Sequence, residues 1–500
     1  MKPPLHLVIA AFGLATFNIS AATLHVSLES TNPVAPYATW TTAATSIQDA
    51  VDAATAGDTV LVTNGVYAVG SRDVSVLDTN QQPPQVVSGG PSRVVVTNSV
   101  TVLSVNGPLL TRIEGGKLAS TNAPGEFPTD NGVRCVFLGT NAVLSGFTLT
   151  NGLAWRGGGV HGGTLTNCTL TGNSSTIKSV GGGAYESTLN NCTLTGNRAY
   201  FAGGGACRCT LYNCTLSGNS VGSEMMIGGG AAECTLYNCT LSGNWGSEGG
   251  GAWWCTLYNC TVTGNHYGGA NASTLYNCLV ADNERGSDGQ FFNCTIIGNN
   301  GGLSGTAFNS IIYYNSGGNY NDYYERTTLN FCCTTPFPTN GVGNITGPPL
   351  FMDLEAGDFR LREDPPCIDA GTNLVGVSAT ITNWSGEVEL IAYTHEPTDI
   401  LGNTRFIDGN RDGKVAWDIG AFEFNSFKPP RFNSAPQLTS DGWKLNITGA
   451  PNKWVQVQRS SDLKNWEVIW PLVFMGSEGV KQVVDGDMGQ RVMFYRAVVQ

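Results

Sequence analysis

Carboxylates spaced as acid and base, loops that wrap a metal, and rings that stack on sugars are the chemistry to look for first in this chain. Between residues 151 and 300 the acids are Glu186, Glu224, Glu233, Glu248, Asp282, Glu284 and Asp288, and no two recur at a fixed interval on one strand face. Cleaving a glycan on such a scaffold needs two carboxyls facing one bond, or a calcium cluster with a strong base beside it. The nearest set that separate segments could assemble is Glu186 and Glu233 with Arg208, and scattered solvent-facing charge is the competing account. Asp408, Asn410, Asp412 and Gly413 have the D-x-N-x-D-G spacing with which an EF-hand loop begins to wrap calcium, but Asp418 falls one place before the closing position. A structural calcium on Asp408, Asn410, Asp412 and Asp418 is therefore one expectation, and an ordinary Asp-Gly turn is the other. No other cofactor is expected. Among the aromatics, Trp155, Tyr200, Trp245 and Tyr267 precede glycine clusters, whereas Tyr185, Trp253 and Trp254 follow them. Flat rings on a neutral, hydroxyl-rich surface suit sugar stacking, with loop packing as the alternative.

The elements that must hold these residues are written in the composition and the repeats. Gly is 65 of 500 residues, and charged residues are 13%, half the usual ~25%, so the surface is built from neutral polar groups. A net charge of −12 with only 26 basic residues argues against nucleic acid as a partner. Lys2, an apolar run from Leu7 to Phe17 too short to span a bilayer, and small residues at Ser20, Ala21 and Ala22 read as a secretory signal over residues 1–22. Cleavage after Ala21 or Ala22 would send the chain out of the cytoplasm, secreted or to the cell surface, with no later membrane span.

From residue 164 a ten-residue phrase recurs: TLTNCTLTGN at 164, TLNNCTLTGN at 188, TLYNCTLSGN at 210 and 235, TLYNCTVTGN at 256, TLYNCLVADN at 274 and QFFNCTIIGN at 290. Its cysteines, Cys168, Cys192, Cys214, Cys239, Cys260, Cys278 and Cys294, are 16 to 25 residues apart, a period of about twenty that means a solenoid. The LxxLxL pattern of leucine-rich repeats is missing. Strand alternation puts Cys214 and Leu216 on an inner face and Thr215 and Ser217 on an outer one. Asn167, Asn191, Asn213, Asn238, Asn259, Asn277 and Asn293 should then stack as an inward-leaning ladder, which favours a structural role over glycosylation at their sequons. Glycine clusters such as Gly181 to Gly183 and Gly203 to Gly205 mark the bends. Stacked cysteines with parallel Cβ atoms suit buried free thiols better than disulfides or a metal chain. The vicinal pair Cys332-Cys333 has no role in this scheme.

Upstream, Thr45 or Ser46 can cap a short helix whose Ile47, Ala50, Val51 and Ala54 share one face and cover the first coil. Downstream, GDFRL, CIDAGTN, LGNTRFIDG and DIGAFE resemble the secreted bacterial right-handed parallel β-helix proteins that end in a choice-of-anchor Q region. IQDAVDAATAGDTVLVTNGVY is similar to the opening segment of the wider pectate-lyase-like superfamily. The resemblance covers roughly residues 40–424 and implies a fold and an export route, without a reaction. Polygalacturonase-type NTD, DD and RIK signatures are missing, and His161 in Val160-His161-Gly162 is a faint counterpart of GHG. The expected architecture is all-β: a signal (1–22), a capping segment (23–58), a right-handed parallel β-helix (59–424, with the anchor-like part at about 305–424), a linker (425–436), and a small antiparallel β-sandwich (437–500). The last of these carries Trp443, Trp454, Trp466 and Trp470 and suits sugar binding or surface attachment. The leading reading is an exported adhesive, structural or glycan-binding protein whose partner is a polysaccharide or cell-envelope glycan. The second reading is a polysaccharide lyase or glycoside hydrolase with a site assembled from different coils.

Overall fold

The computed structural model describes residues 21–78, 85–117, 132–222, 227–321, 327–362, 365–374, 378–382, 388–392, 398–410, 412–424, 431–432, 436–440, 442–448, 454–461, 464–474, 480–485 and 494–499. Most of the signal segment and of the linker lies outside these residues. The chain divides into two units, 1–406 with 414–423, and 407–413 with 424–500.

Each repeat phrase folds as two short strands joined at a corner, of three residues each in all but the last two phrases, whose first strands are Ser273–Tyr276 and Asp288–Phe292. Thr210–Tyr212 and Thr215–Ser217 are one such pair, with Asn213 and Cys214 between them. The first strands of successive coils stack into sheet A, from Thr23–Val26 to Thr328–Asn330, and the second strands into sheet B, from Gly65–Tyr67 to Cys333–Thr334. A third sheet, C, runs from Arg72–Asp78 to Ala270–Asn271. Apart from Arg72–Asp78, which pairs antiparallel with Gln85–Val96 at the edge of sheet C, pairing along these sheets is parallel and in register: Leu165, Leu189, Leu211, Leu236 and Leu257 align in sheet A, and Leu170, Leu194, Leu216 and Leu241 in sheet B. Ala184, Ala206, Ala231 and Ala252 align in sheet C. This is a parallel β-helix, in which like side chains stack into files because each coil repeats the last. Right-handed winding is the sense that parallel crossovers take. The strands begin at Thr23, within the segment read as a cap. Helix α1 (Ile47–Ala53), capped by the Ser46 side chain on the Asp49 N–H, buries Ile47, Ala50 and Val51 in the same core as Leu24 and Val60.

The corner cysteines are buried free thiols. Cys192, Cys214, Cys239, Cys260 and Cys278 each take the backbone N–H of the coil before, as in Cys192 N to Cys214 Sγ at 3.4 Å, and all seven donate to the carbonyl two residues back, as in Cys214 Sγ to Tyr212 O at 3.3 Å. Cys209, Cys234 and Cys255 form a second file between sheets C and A, continued by Ser187 and Ser273 at its ends. The thiol is thus a small apolar group that also satisfies a bend.

The asparagine expectation needs correction. Asn167, Asn191, Asn213 and Asn238 do recur in register, but they are exposed, with φ of 52° to 54°, in the left-handed conformation that Asn tolerates at a corner; Asn259 is half-buried, and only Asn277 and Asn293 of the seven are buried. Their outward amides link Asn238 to Asn213 at 3.2 Å and Asn259 to Asn238 at 3.3 Å. The inward ladder is the other asparagine of the phrase, its last residue: Asn173, Asn197, Asn219, Asn244, Asn265, Asn283 and Asn299 are all buried. Each Nδ2 donates to the next Oδ1 at 2.9 to 3.0 Å and to a carbonyl of an earlier coil. Period-two counting failed because the corner between strands interrupts it. The triple glycines lie against this ladder: a Cβ at Gly205 would stand 2.6 Å from Gly230 O and 3.1 Å from Asn219 Cγ, so no larger residue fits.

The second unit holds two antiparallel sheets, one centred on Gly442–Thr448 and the other on Trp454–Ser460. Leu445, Ile447, Val455, Val457, Val473 and Val483 share one core between them. No described helix is long and apolar enough to cross a membrane.

Candidate functional site

Beyond the buried asparagines, four coils leave the β-helix as a small extra sheet, Leu153–Arg156, Ser174–Val180, Arg198–Ala199 and Ser220–Val221, before the triple glycines return the chain to sheet C. The outer face of sheet C beside it carries the file Phe137, His161, Tyr185, Cys207, Ala232 and Trp253. At the far corner of sheet C stand Glu186, Arg208, Glu233 and Trp254, with φ of 50°, 54°, 52° and 52°. For residues other than Gly or Asn that conformation costs about 1–2 kcal/mol, so a file of three charged residues and a tryptophan there is a departure from local preference.

The two faces enclose a groove of about 170 Å³, lined among others by Trp155, Arg156, Lys178, Tyr185, Arg208 and Glu233. Arg156 lies over the Trp155 ring at 3.9 Å and over Tyr185 at 5.3 Å. Arg208 pairs with Glu233, Nε to Oε2 at 2.8 Å, and donates from Nη1 to the Tyr185 hydroxyl at 3.2 Å. Arg134, wholly buried, holds the backbone from beneath, donating to Gly157 O at 3.0 Å and Arg156 O at 2.9 Å. Burial, with the charges of Arg134 and Arg156 behind it, pushes His161 down to about 3, so its ring is neutral beside Glu186, 3.8 Å away. Burial likewise pushes the Tyr185 phenol up. Neither group exchanges protons near neutral pH, and the cluster is set to hold charge in place.

The residues singled out by spacing are distributed as follows. Trp155 and Tyr185 meet in the groove. Arg208 and Glu233 meet there too, whereas Glu186 stands two coils from Glu233, roughly 9.6 Å along the axis at ~4.8 Å per coil, with Arg208 between them. Tyr200 packs edge-on against Phe201 at 4.8 Å, and Trp245 against Tyr267 at 6.0 Å, with Arg285 over Tyr267 at 4.9 Å. Trp253 and Trp254 form a tilted pair at 4.8 Å, with Trp254 exposed. The seven rings therefore do not make one platform.

Of the calcium set, Asp408, Asn410 and Asp412 lie in the second unit and Asp418 in the first. The Asp408 carboxylate accepts the Asp412 N–H at 3.1 Å and the Gly413 N–H at 2.9 Å, and Asn410 Oδ1 accepts the Asp412 N–H at 2.8 Å, the bonding of a turn. Asp418 is buried and accepts the Asp369 N–H at 2.8 Å. Among the described residues no three His, Cys, Asp or Glu side chains are grouped to hold a metal ion.

Sequence reading missed what the terminal motifs do. CIDAGTN, the Arg405 segment and DIGAFE form a strap over the last coils. Gly420 N donates to Asn309 O at 2.7 Å, Thr372 N to Asn309 Oδ1 at 2.9 Å, and Ala421 N to Thr295 Oγ1 at 3.0 Å. Arg405, wholly buried, reaches Gly420 O at 2.9 Å, Glu423 Oε2 at 3.2 Å and Asn277 Oδ1 at 3.4 Å. Trp417 and Leu374 close over Tyr276 and Phe292. A signal was available: the outward file of sheet B, threonine through Thr261, continues as Leu279, Thr295, Ile311 and Cys333.

No family model and no curated protein matches the chain. Solved structures similar to it include pectate lyase Pel9A (12% identity, TM-score 0.39, covering 82% of this chain and 98% of that one). XylC in complex with xylose (11%, 0.41, 81% and 98%) and the Dettilon tailspike protein (10%, 0.29, 91% and 89%) are also similar. Likenesses at these scores say nothing about chemistry, and the β-helix stands on its own strand pairing.

Proposed function

We propose that this is an exported protein that presents its groove to a polysaccharide or cell-envelope glycan, in an adhesive or structural role at the cell surface. The observation that carries the reading is the groove's make-up: Arg156 laid on Trp155, Lys178 in the lining, and Arg208 fixed by Glu233 and Tyr185. Pre-placed guanidinium groups beside aromatic walls suit a saccharide that carries carboxylate or sulfate groups. Export is supported by the basic-apolar-small opening of the chain, and the strap is the part that bears the resemblance to choice-of-anchor Q proteins.

The test is a glycan array with the full chain, followed by calorimetry on the hits with Arg156→Ala and Arg208→Ala. Loss of one charge-assisted contact worth ~1.5–3 kcal/mol weakens binding by about tenfold or more in each variant, with anionic glycans preferred. Unchanged affinity in both variants overturns the assignment of the groove. Release of new reducing ends or unsaturated products from a bound glycan would establish the enzyme reading instead.

A further inference from the structure

The vicinal cysteines face opposite ways. Cys332 belongs to the inner core, whereas Cys333, one residue on in Cys333–Thr334, continues the outward file of sheet B after Ile311. In a lone coil that file would face solvent, yet Cys333 is wholly buried because the strap crosses it. Cys367, the first residue of CIDAGTN, is also wholly buried, and Gly420, next to the Ile419 that bonds it, lies against the same file one place before Cys333, where a Cβ would stand 2.7 Å from Ile311 Cδ1; both thiols are free in this structure. The surroundings agree. Cys333 Sγ lies 3.1 Å from Gly347 O, a Cβ on Gly347 would stand 3.0 Å from Pro366 Cγ beside Cys367, and Cys367 O accepts the Ile419 N–H at 2.9 Å.

We propose that Cys333 and Cys367 form a disulfide that locks the strap onto the last coil, and that the other thirteen cysteines stay reduced. Neighbours within the cysteine files sit on adjacent in-register strands at ~4.8 Å with parallel Cβ atoms, beyond the ~3.5–4.5 Å a disulfide requires. Their sulfurs are moreover committed to backbone N–H groups, such as Cys168 N to Cys192 Sγ at 3.4 Å. Cys367 is free of that constraint, since it lies in a turn and not on an adjacent in-register strand. The reaction is thiol–disulfide exchange with a small-molecule or protein disulfide of an oxidising compartment. The two thiols form one S–S bond, the donor's S–S bond takes their two electrons, and their two protons leave on the two donor thiols. Both sulfurs are sealed in the folded chain, so the exchange precedes seating of the strap, and the finished bond is shielded from reductants. The inference needs an oxidant but is independent of the groove.

The full chain, refolded in a reduced and oxidised glutathione buffer, is alkylated in denaturant and mapped by mass spectrometry. Thirteen alkylated cysteines and one linked peptide pair holding Cys333 and Cys367 are expected. Fifteen alkylated cysteines, or a link between members of a file, overturns the proposal. As a second readout, reduction in denaturant followed by refolding under reducing conditions lowers the thermal midpoint of the wild type by several degrees. It leaves Cys367→Ser and Cys333→Ser unmoved, because neither can form the bond. An equal shift in these variants and the wild type also overturns it.

Discussion

Two asparagines six residues apart in one repeat phrase separate the structure from the simpler picture of a single inward ladder. In Asn219→Ala the buried amide is lost. Its Oδ1 accepts the Asn197 N–H and Nδ2 at 3.0 Å each, and its Nδ2 donates to Leu194 O at 2.9 Å and Asn244 Oδ1 at 3.0 Å. Truncation strands the buried Asn197 N–H, at about 1–3 kcal/mol, and removes three further bonds at about 0.5–1.5 kcal/mol each, for a total of about 2.5–7.5 kcal/mol. Asn213→Ala loses only an exposed bond from Asn238 at 3.2 Å and places alanine at φ 53°, costing about 1 kcal/mol. Asn213→Gly removes even that strain. The assay is urea unfolding followed by tryptophan fluorescence, with hydrogen exchange over residues 194–221 to localise the loss. Exchange should rise sharply around Asn197 in Asn219→Ala alone, since each coil contacts only its neighbours. Equal costs for the two alanine variants, or a larger one at Asn213, would refute the assignment of the ladder.

Burial, reinforced by the Asp418 charge, pushes the Glu423 carboxyl up to about 9 even with Arg405 alongside. A carboxyl raised in the folded state contributes its full stability below its unfolded value of ~4.3 and loses that stability as pH rises through about 9. The thermal midpoint should therefore fall across that window, and Glu423→Gln should flatten the decline; an unchanged slope in the variant counts against a protonated Glu423. At the cysteine corners, Ser310 already does what the thiols do, accepting Cys294 N–H at 3.0 Å and donating to Phe308 O at 2.8 Å. Cys260→Ser should accordingly lie within about 1 kcal/mol of wild type in urea unfolding, while Cys260→Val, which cannot accept the Cys239 N–H, costs about 1–3 kcal/mol. The reverse order would mean that the thiols serve as apolar filler alone.

Much of the scaffold was legible in the residues because a solenoid repeats its environment along with its sequence. The leucines of TLY and TLS, the corner cysteines and the glycine triplets each recur once per coil, and each recurs because the same space must be filled again. The role of Asn219 as against Asn213 was not legible, because both follow a short strand and only the path of the corner says which amide turns inward. The groove was half visible: Arg208 and Glu233 stood out as a charged pair, but Trp155 and Arg156 join them only because the extra sheet folds back across sheet C. Tyr200, Trp245 and Tyr267 looked equivalent to Trp155 in sequence and instead pack against their own neighbours.

The amino-acid sequence by itself determined the β-helix, its period and its files, since a pattern repeated every twenty or so residues can bury its apolar positions only by stacking on itself. The tertiary structure alone decided what lies across those files. The strap that seals Cys333 and Asn309, and the sheet that turns Tyr185 from a surface ring into the floor of a groove, bring together residues many coils or loops apart. Those contacts depend on where the chain leaves and rejoins the stack, and a repeating pattern carries no record of that path.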